Sequence, residues 1–500
     1  MRDEEVIEHL DPTSEITLEV VKKRAVRGVM ALTGRTIFLV LLGLVATFLL
    51  TVFLTPKEWG IFVLVSAFVN FLVYFSDVGL AGALIQKKDH PTRRELETTF
   101  AVQNGLAVVL ITVVFLATPF YQRWAHLDQA AVYLLWALAI SLLLSSLASI
   151  PSVLLERKLE FNRLVIPQIV GQTLYQIAAV FLAWHGIGIT SFTIAVLVRG
   201  VSSLLAMYIL QPWKPGLSFD KPALKGLLHF GIPYQVNTFL AVAKDDGMTV
   251  FLGGILGPVN IGLLGWAQKW TTQPLRLVMD PVTRVTFPAF SRMQNHPEEL
   301  SRALTKSIFF ICSLVFPALT GLVLLAPMLV SLIPKYGKWE PALLPLGILS
   351  VNYAWAAVTT PLTNVLNATG RIRTTFRLMV MWTILSWLFI PWLSHFYGVN
   401  GAAWGYALVG CSSAIAIFVT LKSIEVDLVE GAVKPLAAAL IMGVVLAAGR
   451  QLLPVSWIAM FSLVVLGLAF YLGSVFLLVG PEIIVDIKKA ALGIKGKAEV

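Results

Sequence analysis

Arg35, Arg199, Lys244, Lys269 and Arg276 are cations set inside long apolar stretches. Cations held below a membrane surface suit one task above others. They bind a phosphate or pyrophosphate through short, charge-assisted hydrogen bonds. A charge at mid-bilayer costs about 3 kcal/mol or more, so each is expected to face a cavity or a partner. Arg35 falls about two turns, or roughly 10 Å, into the first apolar stretch. Lys269 and Arg276 are seven residues apart and share one helical face. Asp280 follows four residues after Arg276, so a boundary ion pair or snorkelling side chain is the competing reading there. Arg199 has two readings: lining a cleft, or packing against a helix end in its own half of the chain.

Asp245 and Asp246 follow Lys244 directly, in A-V-A-K-D-D-G-M at 241–248. Two adjacent carboxylates in a low-dielectric site resist ionising together. Successive residues also point about 100° apart on a helix, so the three charges cannot share one face. Two hypotheses stand. Either one aspartate is the proton or Na⁺ site that couples transport, or the run is an internal ion pair holding a bend, which Gly247 and Gly253-Gly254 favour. Tyr234, Trp266 and Trp270 lie near these charges and are candidate sugar-stacking surfaces; the competing reading is an interfacial aromatic belt. Asp77 reads as a structural cap at a glycine-containing break.

The elements that position these residues follow from composition. The 500-residue chain is 57% hydrophobic and 13% charged, with net charge +10 and mean hydropathy +0.81. Soluble domains carry about 25% charged residues. Apolar runs of about 20 residues that do not alternate argue a polytopic all-α membrane protein. Fourteen spans are expected near 28–54, 60–85, 98–119, 130–154, 164–184, 187–210, 231–256, 260–283, 303–333, 341–367, 376–396, 399–421, 435–453 and 456–480. With the N-terminus in the cytosol, 28 of the 38 Lys and Arg fall on the cytosolic side; five (Lys57, Arg123, Lys335, Lys338 and Arg450) fall outside. That bias predicts cytosolic N- and C-termini. It also makes contact with anionic membrane lipids the reading of the basic loops, and gives nucleic-acid binding no support. Cys312 and Cys411 read as small buried side chains rather than a disulfide. The acidic start of residues 1–23 is unlike a secretory signal.

An internal repeat organises the spans. T-P-K-E-W-G-I-F (55–62) matches G-P-V-N-I-G-L-L (257–264) in its Pro and Gly. E-R-K-L-E-F-N-R-L (156–164) matches G-R-I-R-T-T-F-R-L (370–378) at Arg157/Arg371 and Arg163/Arg377, and R-G-V-S-S (199–203) matches V-G-C-S-S (409–413). A six-helix unit is even, so both copies keep one orientation in the membrane and form a parallel repeat. The expected organisation is a cytosolic tail 1–27, an N-lobe 28–210, a cytosolic linker 211–230 and a C-lobe 231–421. Two extra helices (435–480) and a cytosolic tail (481–500) complete it. Repeat symmetry sets spans 1 and 7 opposite each other across a central cleft.

The segments F-L-T-P-K-E-W-G-I-F (53–62), F-S-D-V-G-L-A-G-A-L-I-Q (75–86), L-L-E-R-K-L-E-F-N-R-L (154–164) and L-G-P-V-N-I-G-L-L-G-W-A (256–267) resemble the polysaccharide transporters. These are the Wzx-type oligosaccharide flippases of the multidrug/oligosaccharidyl-lipid/polysaccharide exporter superfamily. The likeness runs from about residue 24 to 480. It implies two six-helix bundles in a V with two extra C-terminal helices. It implies a lipid-linked oligosaccharide on undecaprenyl pyrophosphate, moved from the inner to the outer leaflet of the bacterial inner membrane, with the glycan polymerase machinery as a candidate partner. Asn260-Ile261 departs from Glu58-Trp59 at the equivalent repeat position. Rival functions are a multidrug-type cation-coupled antiporter, whose cleft should be net acidic, and a lipid II flippase, which shares the cation logic. A membrane glycosyltransferase or polymerase needs a sizeable outer loop with paired carboxylates, and the outer segments here are short. No metal-ligand spacing, phosphate loop or nucleophile–base pair implies a cofactor or an enzyme.

Overall fold

A computed structural model describes residues 18–73, 80–86, 90–216, 218–220 and 241–480. Asp77 and Tyr234 therefore lie outside the described residues. The described chain is helical. In order it runs α1 (Leu18–Phe53), α2 (Pro56–Val73), α3 (Leu80–Gln86), α4 (Arg93–Trp124), α5 (Gln129–Leu147), α6 (Ser149–Arg157), α7 (Phe161–Trp184) and α8 (Thr190–Leu210). A π-helical turn (Ala243–Gly247) leads into α9 (Met248–Arg292), followed by α10 (Pro297–Leu332), α11 (Leu343–Ala368), α12 (Ile372–Cys411) and α13 (Ala414–Leu421). A second π-helical turn (Val429–Val433) precedes α14 (Lys434–Leu452) and α15 (Trp457–Val479).

Twelve of the described helical stretches are long and apolar enough to cross a membrane, and two of them, Ala243–Arg292 and Ile372–Leu421, contain 50 residues each. A straight helix of that length would reach about 75 Å, against a hydrocarbon core of about 30 Å. Each is broken by a glycine in the left-handed region, Gly257 (φ 69°) in α9 and Gly398 (φ 59°) in α12. Each therefore makes two passes, and the expected fourteen spans are recovered.

Packing divides the chain into two compact units, Met1–Gly262 and Leu263–Val500. In the first, α8 packs on α7 and α5, α1 packs on α7, and α2 packs on α5 and the first π-helical turn. In the second, α10 packs on α11 and on α14, while α11 packs on α12. The two C-terminal helices pair with each other, and Tyr471 Oη on α15 donates to the Ser313 carbonyl on α10 at 2.7 Å. The first π-helical turn belongs to the first unit because it lies against α2.

The repeat expected from sequence has a physical counterpart within the first unit. A Cβ on Gly60 would collide with the Pro258 carbonyl oxygen and come within 2.7 Å of Gly262 N. Reciprocally, a Cβ on Gly262 would collide with the Pro56 carbonyl oxygen and lie 3.1 Å from Gly60 N. Pro56/Pro258 and Gly60/Gly262 are the matched positions of the repeat. The two segments thus meet backbone to backbone, and only glycine allows that approach.

Other repeat positions hold their own units together. Gly200 packs on Leu144 of α5, and Gly410 on Asn352 of α11. The Asp220 N–H donates to Thr98 Oγ1 at 3.1 Å, and the Asp427 N–H donates to Thr305 Oγ1 at 3.2 Å. The same bond clasps the chain beyond α8 to α4 in the first unit and the chain beyond α13 to α10 in the second. The departure at Glu58 is also explained. Glu58 closes a capping box, accepting from Thr55 N at 2.7 Å while its own N–H reaches Thr55 Oγ1 at 3.3 Å. Such a box satisfies orphan donors at a helix start. In the second copy Asn260 Nδ2 instead donates to the Leu256 carbonyl at 3.0 Å.

The E-R-K-L-E-F-N-R motif turns the chain between α6 and α7. Arg157 is buried and its Nη1 donates to the Leu84 carbonyl at 2.7 Å, satisfying the end of α3. Arg371, its repeat partner, is exposed, so the two copies diverge here. Burial raises the Glu156 carboxyl above its ordinary range, opposed by a hydrogen bond with Ser152. The folded state therefore disfavours the charged form, and folding loses stability as pH rises through the carboxylate range.

Two predictions follow from this packing. Gly60→Val and Gly262→Val should each lower the melting temperature of the purified protein, since overpacking costs about 1–3 kcal/mol. Gly105→Ala, where a Cβ meets nothing within 4 Å, should leave it unchanged or raise it. Glu156→Gln should raise the melting temperature near pH 8, and the gain should vanish near pH 4, as read by thermal unfolding at the two pH values.

Candidate functional site

The charges expected to act fall in both units. Arg35, Arg199, Lys244, Asp245 and Asp246 belong to the first, and Lys269 and Arg276 to the second. Arg35 lies near the start of the apolar part of α1, Ala31–Phe53. Its residue is partly buried, and its Nε is fully buried with no hydrogen-bond partner. An unmatched cationic donor in a membrane helix is costly unless a ligand completes it. The guanidinium carbon of Arg199 on α8 sits 5.4 Å from the ring centre of Tyr175 on α7. Such cation–π contact offsets part of the desolvation cost. The α7–α8 approach that permits it depends on small residues. Ser203 Oγ donates to the Pro167 carbonyl at 2.9 Å, and a Cβ on Gly171 would collide with the Ser203 side chain.

The K-D-D-G run forms the π-helical turn Ala243–Gly247. π-Helical turns widen the backbone and occur often at functional sites. Within it Lys244 Nζ pairs with Asp245 Oδ1 at 2.6 Å, and the Asp245 side chain is 64% exposed against 27% for Lys244. The turn packs on α2. Beyond the turn, the close approach of α9 is set by glycines: a Cβ on Gly253 would lie 2.7 Å from Leu64, and one on Gly254 would meet the Trp124 ring.

In the second unit, Lys269 is partly buried, while Arg276 and Asp280 are exposed. Trp266 is buried to 2% exposure. Its ring stacks on Trp339 at 5.4 Å, and its Nε1–H donates to Tyr336 Oη at 3.1 Å. In this structure Trp266 fills the core of the unit. Trp270 is partly buried, with its Nε1 buried and without a hydrogen-bond partner.

Sequence reading missed Tyr175, which lies near no ionisable residue in the chain and meets Arg199 only through helix packing. The Thr98/Asp220 and Thr305/Asp427 clasps were findable, because both pairs recur at one offset.

Residues 49–343 match the family described as polysaccharide biosynthesis protein. The chain is 24% identical over 412 residues to the lipopolysaccharide biosynthesis protein WzxC of Escherichia coli (strain K12), covering 81% of this chain and 82% of that one. Its fold is similar to a structure of the lipid II flippase MurJ in an inward closed conformation, with TM-score 0.70 and 15% identity over 89% of this chain and 98% of that one. It is also similar to an inward-facing multidrug resistance MATE family transporter of the MOP superfamily, with TM-score 0.54 and 14% identity over 76% and 95% of the two chains. At these identities the structural likeness concerns the fold.

Trp266→Ala should cost about 3–5 kcal/mol as a lost core aromatic. The expected result is a large fall in melting temperature, with Trp270→Ala much milder. Equal effects of the two would remove the core assignment of Trp266.

Proposed function

Because the chain belongs to the polysaccharide biosynthesis protein family, we propose that it flips an undecaprenyl-pyrophosphate-linked oligosaccharide from the inner to the outer leaflet of the bacterial inner membrane. The observation that carries this reading is the buried, unpartnered Nε of Arg35 in a membrane helix. A pyrophosphate supplies the acceptor oxygens that such a donor lacks. Lys244, Lys269, Arg276 and Arg199 are the further cations of the path, with Arg199 already stacked on Tyr175. Trp270 and Tyr234 are the sugar-facing candidates, with Trp266 reaching sugar only if its core packing opens. The chain works as a transporter rather than an enzyme, by alternating access of two lobes (28–210 and 231–421), with both termini cytosolic.

In an alternating-access cycle, binding energy shifts populations only by its difference between states. A pyrophosphate bound by Arg35 in the inward-open state must lose that contact as the outward state forms. The driving ion, a proton or Na⁺, acts at one of Asp245 and Asp246. The five cations against these two aspartates favour an anionic cargo over the cationic substrates of a multidrug antiporter.

The test is loss of the gene followed by analysis of inner-leaflet glycolipids. A lipid-linked oligosaccharide should accumulate; accumulation of lipid II instead would assign the chain to peptidoglycan, and no accumulation would reject both. Complementation with Arg35→Ala should reduce export roughly ten- to a hundredfold, the weight of about 1.5–3 kcal/mol for a charged hydrogen bond, with normal amounts of protein in the membrane. Normal export by that variant would remove Arg35 from the site.

A further inference from the structure

We infer that Gln168, Gln172 and Gln176 on α7 form a track of neutral amides that binds the ring hydroxyls of the cargo's glycan. The inference rests on the transport reading above and adds sugar-recognising residues to it. The three glutamines are four residues apart in turn, so they follow one face of α7. By helical rise the row begins roughly 10 Å from the start of α7 and extends about 12 Å. α7 is long and apolar enough to cross a membrane, and beyond Arg163 it carries no charged side chain. Amides on such a helix are costly against lipid. A row of three is expected to meet either hydrogen-bond partners on a neighbouring helix or a polar path.

Among the described residues, none of the three amides makes a hydrogen bond. The face of α7 that does bond lies one residue back. Ser203 Oγ of α8 donates to the Pro167 carbonyl, a Cβ on Gly171 would collide with Ser203, and the Tyr175 ring meets Arg199. Each glutamine directly follows one of these residues, so the amide row is turned about 100° from the α8 contact. It is turned toward α1, on which α7 also packs. There Gln176 Nε2 would lie 3.9 Å from a Cβ on Gly43, and that Cβ would meet no other described side chain within 4 Å. A glycine at this point leaves room in front of the amide. Exposure falls along the row, from exposed Gln168 through half-buried Gln172 to buried Gln176. The row thus runs from an open end into the first unit.

Arg35 stands eight residues before Gly43 on α1, and Gln168 stands eight before Gln176 on α7. Spans 1 and 5 cross the membrane in the same direction, so equal rise sets Arg35 at the level of Gln168. A sugar joined to a pyrophosphate held at Arg35 therefore begins where the amide row begins. The chemistry matches. A sugar hydroxyl both donates and accepts, and a glutamine amide offers a donor NH₂ and an acceptor carbonyl. Several neutral bonds, each of modest net strength, hold a glycan without trapping it.

The test uses the full chain in lipid nanodiscs and two synthetic probes: undecaprenyl pyrophosphate alone, and undecaprenyl pyrophosphate carrying a neutral trisaccharide. The readout is the ratio of their equilibrium affinities. The wild type should bind the glycosylated probe about tenfold more tightly, the weight of a few neutral hydrogen bonds. The double variant Gln172→Leu, Gln176→Leu should abolish that difference and leave the affinity for bare undecaprenyl pyrophosphate unchanged. The double variant Gln172→Asn, Gln176→Asn, which keeps the amides, should retain part of it. Glutamines that only pack would alter the melting temperature without moving the ratio. Equal wild-type affinity for the two probes, or a ratio unmoved in the leucine variant, overturns the inference and leaves the transport reading standing. Binding of neither probe by the wild type overturns both.

Discussion

A charge below a membrane surface must find a partner or a polar path, and the sites of this protein are organised by that demand. The low-dielectric interior makes an unmatched charge cost several kcal/mol, far more than a typical hydrogen bond contributes. Each intramembrane charge of the first unit meets the demand differently. Arg199 rests on the Tyr175 ring. Lys244 and Asp245 neutralise each other. Arg35 is the exception, with a buried Nε that nothing in the described chain accepts.

Close backbone approach is the second organising feature. Helices in lipid gain little from hydrophobic burial against each other, so they associate through van der Waals packing of small residues. Gly60 and Gly262 interlock the two copies of the repeat motif, and Gly171, Gly200 and Gly410 bring helices together within the separate units. The same positions that revealed the repeat as a sequence pattern are those where a side chain would not fit. The repeat is thus visible because packing tolerates so few residues there. The clasps of Asp220 on Thr98 and Asp427 on Thr305 extend the correspondence to segments whose sequences look unrelated.

Family and fold were legible because the bilayer writes them in long apolar runs. Many of the span limits fall near helix ends, although α9 runs on to Arg292 past the expected 283, and the two merged stretches are divided by Gly257 and Gly398, where a left-handed turn is needed. Individual roles were less legible. Trp266 and Trp270 look equivalent as a sequence, four apart on one helix. Yet Trp266 is stacked on Trp339 in the core, and Trp270 is not. What separates them is a pair of partners distant in the chain, Tyr336 and Trp339, which no local pattern encodes.

The sequence alone determined the class, the number of spans, the repeat and the set of intramembrane charges. Those features follow from composition and period, which act along the chain. Tertiary structure decided how the charges are matched. The K-D-D-G run contains two chemically identical carboxylates, and adjacency in the chain gives no reason to distinguish them. Within the π-helical turn it is Asp245 that pairs with Lys244. Pairing across helices depends on which faces pack together, and that is set by glycine contacts and helix order rather than by the charged residues themselves.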